Sequence, residues 1–191
     1  MGNKVLFGIK NVYVAKLTED SQGVVTYGTP FAMPGATGFS PEPQGESTTF
    51  YADDMAYYVA TANSGYEGEL TLAITPDKFL KDILGQAEDS NGAIIEHSND
   101  TTARFALLFE GEGDTAGRRW AYYDCTATRP NREHNTTEDS IEVGTESITI
   151  TIKPRSSDHL IKAVMEKTPT NTAVYEGWFS QVYEPTDPAS I

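Results

Sequence analysis

The chain has 191 residues and a formal net charge of −14 at pH 7, with 14 Lys and Arg against 28 Asp and Glu. This length suits one domain with a core of its own, and an aromatic content of 10% is too high for a disordered polymer. Binding to a nucleic-acid backbone depends on Lys and Arg that displace counterions, so this composition excludes a nucleic-acid-binding surface. We expect a single folded domain over residues 1–191.

The sequence also predicts the cellular compartment in which the protein is made. Its only cysteine, Cys125, excludes an internal disulfide. The first ten residues lack the apolar run and the small-residue cleavage site of a signal peptide, and no stretch is apolar for long enough to span a bilayer. We therefore expect a soluble protein made in the cytoplasm.

Strands are the first elements that the sequence predicts. The segment that starts at Val5 is rich in β-branched and aromatic residues, which predicts an opening strand, or an arm that becomes one, within residues 1–16. A polar turn follows at residues 19–23. A short second strand is predicted over residues 23–28.

The next segment, residues 29–47, contains four Pro and three Gly and is predicted to be a long loop. A loop of this length in a compact domain usually has a function, although a flexible linker is the simpler alternative. We favour a docking loop because large apolar residues stand in it, where a linker would lack them. The candidate docking residues are Phe31, Met33, Phe39, Glu42 and Glu46.

Clear signals for secondary structure follow that loop. Residues 48–61 predict two strands around a turn at Asp53-Asp54. Residues 66–75 alternate strictly, with Leu70, Leu72 and Ile74 predicted on a buried face and Glu69, Thr71 and Ala73 on a wet, acidic one. A short helix is predicted over residues 76–84, with Thr75 as N-cap, Pro76 in the first position and Gly85 at the C-terminal end.

The second half of the chain is predicted to be mainly β. Residues 104–110 and 119–128 predict a hairpin with a glycine-rich tip, and residues 146–153 alternate with three Ile on a buried face. Residues 130–143 read as a polar loop, residues 158–167 as a short helix, and residues 180–191 as a C-terminal tail that is disordered after Pro185. The predicted fold is mainly β, a β-sandwich or partial barrel with one flanking short α-helix and extended termini.

No residue pattern predicts catalysis, a cofactor or a metal ion. His97, His134 and His159 lie in polar, loop-like contexts without partners at motif spacing, and Cys125 stands in mid-strand as a small packing residue. With one Cys and scattered His, the sequence does not predict a Cys/His zinc site. Asp89–Gly92 resembles a calcium loop only faintly, since the residues at its first and last positions are not carboxylates. Arg118 and Arg119 make a weak basic spot that is suited to pairing with acids on a neighbouring subunit.

The acidic residues are distributed unevenly along the chain. No Lys or Arg occurs from Leu17 to Asp77, a stretch that contains nine Asp and Glu. A solvated acidic face that keeps the protein soluble explains this stretch as well as a more specific role does.

Several short stretches together resemble the major tail protein of long-tailed phages with flexible, non-contractile tails. The resemblance extends from about residue 2 to 185. It is carried by residues 8–13 (GIKNVY), 34–36 (PGA), 51–54 (YADD), 65–70 (GYEGEL), 81–85 (KDILG), 105–109 (FALLF) and 123–130 (YDCTATRP).

This resemblance implies a tail-tube fold and a structural virion protein that is not an enzyme. Such subunits form six-membered rings that stack into a hollow tube, and DNA is ejected through it without specific binding. The resemblance also implies assembly in the host cytoplasm, with a tape measure protein, a tail terminator and a distal tail protein as partners. The segment 29–47 is then the candidate contact between rings. An acidic wall would let DNA slide, so Glu67, Glu69 and Thr71 are the candidate lumen-facing residues.

Two alternatives remain open at this stage. The chain could build the tube of a related contractile injection or secretion system, which sequence separates poorly from a phage tail. It could instead be a carbohydrate-binding β-sandwich of a phage fibre that uses Tyr57, Tyr58, Tyr122 and Tyr123 as a platform.

Overall fold

A computed structural model of the chain describes residues 8–52, 55–113, 116–132 and 144–186. Within these ranges the protein is mainly β, as predicted. The strands are β1 (Gly8–Glu19), β2 (Val25–Tyr27), β3 (Phe31–Ala32), β4 (Ala36–Gln44), β5 (Ser47–Ala52), β6 (Met55–Thr61), β7 (Gly65–Leu72), β8 (Ala87–Glu88), β9 (Ile94–Ile95), β10 (Phe105–Glu112), β11 (Arg119–Ala127), β12 (Asn131–Arg132), β13 (Glu146–Ile152) and β14 (Lys162–Met165). The helices are α1 (Asp77–Asp82), α2 (Thr172–Glu176) and a 3-10 turn (Gly177–Phe179).

Ten of these strands form one open antiparallel sheet. Its main order is β2-β1-β10-β11-β13-β7-β4, with β3 added to β1, β14 to β11 and β12 to β13. Strands β1 and β4 also contact each other, so the sheet curves towards a partial barrel. No described helix is long and apolar enough to cross a membrane.

The larger core lies on the inner side of this curved sheet. It is formed by alternate residues of the strands, as the patterns at Leu70 and Leu72 and at Ile148, Ile150 and Ile152 predicted. All five side chains are almost fully buried. One predicted member of this face, Ile74, is not part of the core: β7 ends at Leu72, and Ile74 is 67% exposed.

Helix α1 covers one side of the core. The prediction over residues 76–84 is confirmed in its position and in its buried face, since Phe79, Ile83 and Leu84 are buried. The predicted N-cap is wrong by one residue, because Pro76 occupies that position and no side chain caps the helix. Gly85 ends the helix with a φ of +77°, a conformation that suits glycine.

A second core lies on the outer face of β1, β10 and β11, under the C-terminal part of the chain. The Trp178 indole N–H donates to the Trp120 carbonyl (3.3 Å), and the Tyr123 hydroxyl donates to the Tyr183 carbonyl (2.9 Å). Trp178 is 1% exposed and stacks on Tyr183. The segment up to Glu184 therefore covers this face of the sheet, where the sequence analysis predicted a C-terminal tail from residue 180.

In the C-terminal third, one prediction is wrong and one element was not predicted. The expected helix over residues 158–167 is instead a turn followed by β14, which pairs with β11. Val164 and Met165 pair with Trp120 and Arg119, so the segment extends the sheet. The short helix α2 was not predicted at all.

The predicted loop over residues 29–47 is also wrong, because this segment contains β3 and the nine-residue strand β4. Strand β4 pairs with β7 along its length, with one irregularity between Ala36 and Gly38. Met33 is 1% exposed and belongs to the core, and Phe31 and Phe39 pack against it half-buried. Glu42 and Glu46 are exposed.

The two strands predicted over residues 48–61 are confirmed as the hairpin of β5 and β6. The turn predicted at Asp53 and Asp54 lies outside the described part. The hairpin forms a two-stranded sheet of its own. It continues directly from β4 and β7, since the Ala62 N–H donates to the Glu46 carbonyl and the Ser64 N–H to the Gln44 carbonyl, both at 2.9 Å. β4–β5 and β6–β7 thus form one long ribbon that leaves the sheet.

Arg155 connects three parts of the fold. Its guanidinium donates to both carboxylate oxygens of Asp158 (2.9 and 2.6 Å) and to Glu184 in the C-terminal segment (2.7 Å). It also contacts the Tyr27 hydroxyl of β2 at 3.3 Å and lies over the Tyr123 ring. These hydrogen bonds lower the pKa of the Asp158 carboxyl below its ordinary value of 3.8.

We predict that Asp158→Asn lowers the stability at neutral pH and flattens its acid dependence. A carboxyl with a lowered pKa stabilises the fold above its unfolded-state pKa, and this contribution is lost as pH falls through the folded-state pKa. Because Asp158 is 43% exposed, the loss at pH 7 is about 1 kcal/mol. Urea unfolding from pH 7 to pH 3 should show wild type and variant converging below about pH 4. Parallel curves would contradict the assignment.

We predict that Gly65→Ala severely destabilises the protein. Gly65 has a φ of +107°, and a Cβ at this position would lie 2.0 Å from the Ile152 carbonyl oxygen of β13. Strain of about 1–3 kcal/mol is expected from the backbone conformation, and the clash adds to it. Gly38→Ala in β4 is the matched control, because its Cβ meets no atom within 4 Å. Its unfolding free energy should stay within about 0.5 kcal/mol of wild type. Similar thermal unfolding of both variants would contradict this prediction.

Candidate functional site

The side of β4, β7 and β13 that faces away from the larger core carries only polar side chains at facing positions. Glu42 of β4 lies opposite Glu67 of β7, and Ser40 lies opposite Glu69. On the other side of β7, Thr151 and Thr149 of β13 lie opposite the same two glutamates, and Ser147 lies opposite Thr71. We call this surface, formed by Ser40, Glu42, Glu67, Glu69, Thr71, Ser147, Thr149 and Thr151, the β4–β7–β13 polar face.

The carboxylates of this face are not neutralised. Glu42, Glu67 and Glu69 are exposed, and none has an ion pair or hydrogen bond with another described residue. Most described Lys and Arg are paired elsewhere, as in Lys10–Glu110, Arg104–Asp124 and Arg132–Glu146. Lys153 lies just beyond the end of β13. Like charges directly opposite each other destabilise a sheet. The Glu42–Glu67 pair therefore lowers the stability of this sheet, and the fold does not require it.

The predicted lumen residues Glu67, Glu69 and Thr71 do share one side of β7, with Thr71 half-buried and both glutamates exposed. The other members of this face were not predicted from the sequence. Glu42 and Ser40 were placed in a loop, and their position beside β7 depends on strand pairing that no local pattern encodes. The alternation of Thr and Ile in β13 was the available signal, since it predicted a row of hydroxyls on the exposed side.

The two arginines proposed for contacts between subunits are engaged within their own chain. Arg119 is largely buried, pairs with Glu110 at 3.1 Å and donates to the Tyr175 carbonyl, with its guanidinium 3.7 Å from the centre of the Tyr175 ring. It therefore fixes α2 to the sheet, and its assignment as a partner for another subunit is not supported. Arg118 pairs with Glu166 at 2.6 Å, and both side chains are nearly half exposed.

The tyrosine platform of the carbohydrate-binding alternative does not form as expected. Tyr122 and Tyr123 are 3% and 0% exposed, and each belongs to a different core. Tyr122 packs against Phe39 and Tyr66. Side chains of Tyr57 and Tyr58 lie outside the described part. Two of the four proposed rings are thus inaccessible to a ligand.

The candidate side chains for catalysis or metal binding lie apart from one another in the described part. Burial raises the pKa of the Cys125 thiol, which is fully buried as the packing role predicted. His97 and His159 are exposed, and His134 lies outside the described residues. In the described ranges, no group of three or more His, Cys, Asp or Glu is arranged to hold a metal ion. Asp89 accepts hydrogen bonds from the backbone N–H groups of Asn91 and Ala93, which makes it a turn residue.

A family model described as phage tail tube protein matches residues 2–184 of the chain. A search of curated proteins found no match. Among solved structures, the chain is similar to the tube-terminating cap of the anti-feeding prophage, with 11% identity, a TM-score of 0.46 and coverage of 87% of this chain and 97% of that one. It is also similar to a chain of the sheath/tube terminator of the PVC extracellular contractile injection system, with 9% identity, a TM-score of 0.48 and coverage of 85% and 98%.

The family match covers nearly the whole sequence, and it agrees with the mainly β fold of the described part. The chain belongs to the phage tail tube protein family, whose members are structural components of the virion and not enzymes.

Proposed function

We propose that this protein is the repeating subunit of the hollow tube of a long, non-contractile phage tail, built from stacked six-membered rings through which DNA is ejected. The observation that carries the proposal is the β4–β7–β13 polar face. It is a wide, acidic sheet surface whose opposite side is buried in the core. A subunit with such a sheet can line a closed channel when several copies stand side by side around it.

In this arrangement the polar face forms the inner wall of the tube. Duplex DNA carries roughly one negative charge per 1.7 Å of its axis, so an acidic wall repels it and keeps a layer of water between them. The hydroxyl groups of Ser40, Thr149 and Thr151 hold that water without adding a charge. Glu42, Glu67 and Glu69 supply the repulsion, which gives a reason for retaining the unfavourable Glu42–Glu67 pair.

The ribbon of β4–β5 and β6–β7 supplies the contact between successive rings. A two-stranded hairpin is only marginally stable in water, and among the described strands β5 and β6 pair only with each other. A neighbouring subunit would provide the surface that this hairpin lacks. The exposed Glu42 and Glu46 lie along the same ribbon. The docking role proposed for residues 29–47 is therefore assigned to these exposed side chains and to the β5–β6 hairpin that follows.

Ring closure and axial stacking use different contacts. A head-to-tail contact forms a ring when the repeated rotation from one subunit to the next brings the last subunit back to the first. A second contact along the axis then extends the rings into a filament. The exposed Arg118–Glu166 pair is suited to a lateral contact, since both charges remain accessible. Assembly takes place in the host cytoplasm before incorporation into the virion, and the tape measure, terminator and distal tail proteins are the expected partners.

We predict that the purified protein forms rings or hollow tubes at high concentration, and that removal of the hairpin abolishes them. In the variant, residues 48–60 are replaced by a short Gly-Ser turn. Because the hairpin adds no strand to the main sheet, the unfolding free energy should change by no more than about 1 kcal/mol. Negative-stain electron microscopy and sedimentation velocity provide the measurements. A wild-type protein that stays a strict monomer, also in the presence of tail initiation components, would refute the tube function.

We predict that Glu67→Lys combined with Glu69→Lys slows DNA ejection severalfold and leaves the tube intact. The two lysines attract the phosphate backbone, and added salt should partly restore the rate because it screens this attraction. The Glu67→Gln/Glu69→Gln variant is the control, with similar side-chain sizes and no positive charge. Ejection is measured by dye release from phage carrying each variant. Equal rates in all three phages would show that these residues do not face the DNA.

A further inference from the structure

We propose that Pro41 and Pro43 make the outer edge of β4 unable to accept another β-strand, so that free subunits do not associate through this edge. An unpaired strand edge is a template for pairing with other chains, and proteins protect such edges by keeping them short or by placing Pro and charges on them. The main sheet of this protein uses both devices, each on different strands.

Strand length distinguishes the edges. Five strands of the described main sheet have a single partner, namely β2, β3, β4, β12 and β14. Four of them are two to four residues long, too short to offer a useful ladder to another chain. Strand β4 has nine residues, and both prolines lie in its second half. Among the strands with a single partner, the one long strand is thus the one that carries Pro.

At both prolines, the backbone nitrogen and carbonyl face the outer edge of β4, away from β7. The two prolines are two residues apart, so their backbone groups face the same side of the strand. The pairing of β4 with β7 is regular from Gly38 to Gln44, although neither Pro has an N–H to donate. The hydrogen bonds to β7 therefore come from the even-numbered residues Ser40, Glu42 and Gln44. The missing N–H groups at positions 41 and 43 belong to the outer edge.

The outer edge in this region therefore offers acceptors without donors. The carbonyl groups of Pro41 and Pro43 remain, but an antiparallel partner strand would leave its own facing carbonyls unpaired at both positions. An unpaired carbonyl in a new interface costs about as much as the hydrogen bond it loses. The exposed Glu42 between the two prolines adds like-charge repulsion against an identical strand. A neighbouring subunit can bind here through side-chain donors only.

This inference is independent of the proposed tube. It concerns the free chain and requires only the pairing of β4 with β7. It explains how a subunit with a long exposed sheet edge can stay dispersed until a specific assembly contact forms.

The test restores the two donors with Pro41→Thr and Pro43→Thr in the full-length protein. Threonine is favourable in strands and supplies an N–H at each position. Two additional backbone hydrogen bonds should lower the concentration at which half of the chains associate by roughly 30-fold. Sedimentation velocity measures association, thioflavin T fluorescence reports stacked strands, and electron microscopy separates irregular fibres from hollow tubes.

Pro169→Thr, in an exposed loop, is the control for replacing a proline away from the edge, and it should behave like wild type. Circular dichroism and thermal unfolding establish that each variant is folded. If the double variant does not fold, each single variant restores one donor and should show a smaller increase in association. Folded variants that associate no more than wild type would overturn the proposal, whether or not wild type forms tubes. Irregular association of the edge variants alone would support it.

Discussion

Burial of the β10–β11 hairpin on both faces is the constraint on which the rest of the structure depends. Phe105 and Leu107 face the larger core, and Ala106 and Leu108 face the smaller one. A strand covered on both sides needs apolar residues at every position, which is what the sequence from 105 to 109 provides. The inner face is covered by the curved sheet and α1. The outer face needs a separate cover, and the C-terminal segment supplies it through Trp178.

This requirement divides the sheet into two halves with different chemistry. Where β1, β10 and β11 lie, small residues such as Ala15, Ala106 and Ala121 make room for the large aromatic side chains of the C-terminal segment. Where β4, β7 and β13 lie, no described segment covers the outer side. That half has therefore been free to carry hydroxyl groups and uncompensated carboxylates. The separation of a covered half from a wet half gives the subunit a surface that can face a water-filled channel.

Much of this arrangement could be predicted because the relevant patterns are local. The alternation in β7 and β13 identified Leu70 and Ile150 as core residues and Glu69 as exposed, and the signals around α1 placed a short helix correctly. The failures arise where tertiary contacts override local signals. Pro41 and Pro43 argued against a strand, yet an edge strand can hold Pro when the missing N–H faces outward. The segment 158–167 has a helix-like composition but pairs with the open side of β11.

The candidate site was predictable only in part for the same reason. Glu67 and Glu69 could be assigned to one exposed face from their spacing, whereas Glu42 joins them through pairing between β4 and β7. Arg119 was proposed as a partner for another subunit because the sequence alone does not show which acidic residue it meets. Its partners, Glu110 across the hairpin and Tyr175 in α2, become neighbours only when the sheet and the C-terminal segment are assembled.

The continuous ribbon of β4–β5 and β6–β7 has a mechanical consequence. Only residues 45–46 and 62–64 separate the strands of the sheet from those of the hairpin, and the hydrogen bonds at Gln44–Ser64 and Glu46–Ala62 bridge this junction. A force applied to the hairpin is therefore transmitted through this short, hydrogen-bonded junction to the sheet that carries the polar face. In the proposed tube of stacked rings, such a subunit would couple bending at the contacts between rings to the shape of the bore, so curvature would be shared among many subunits and no single joint would kink.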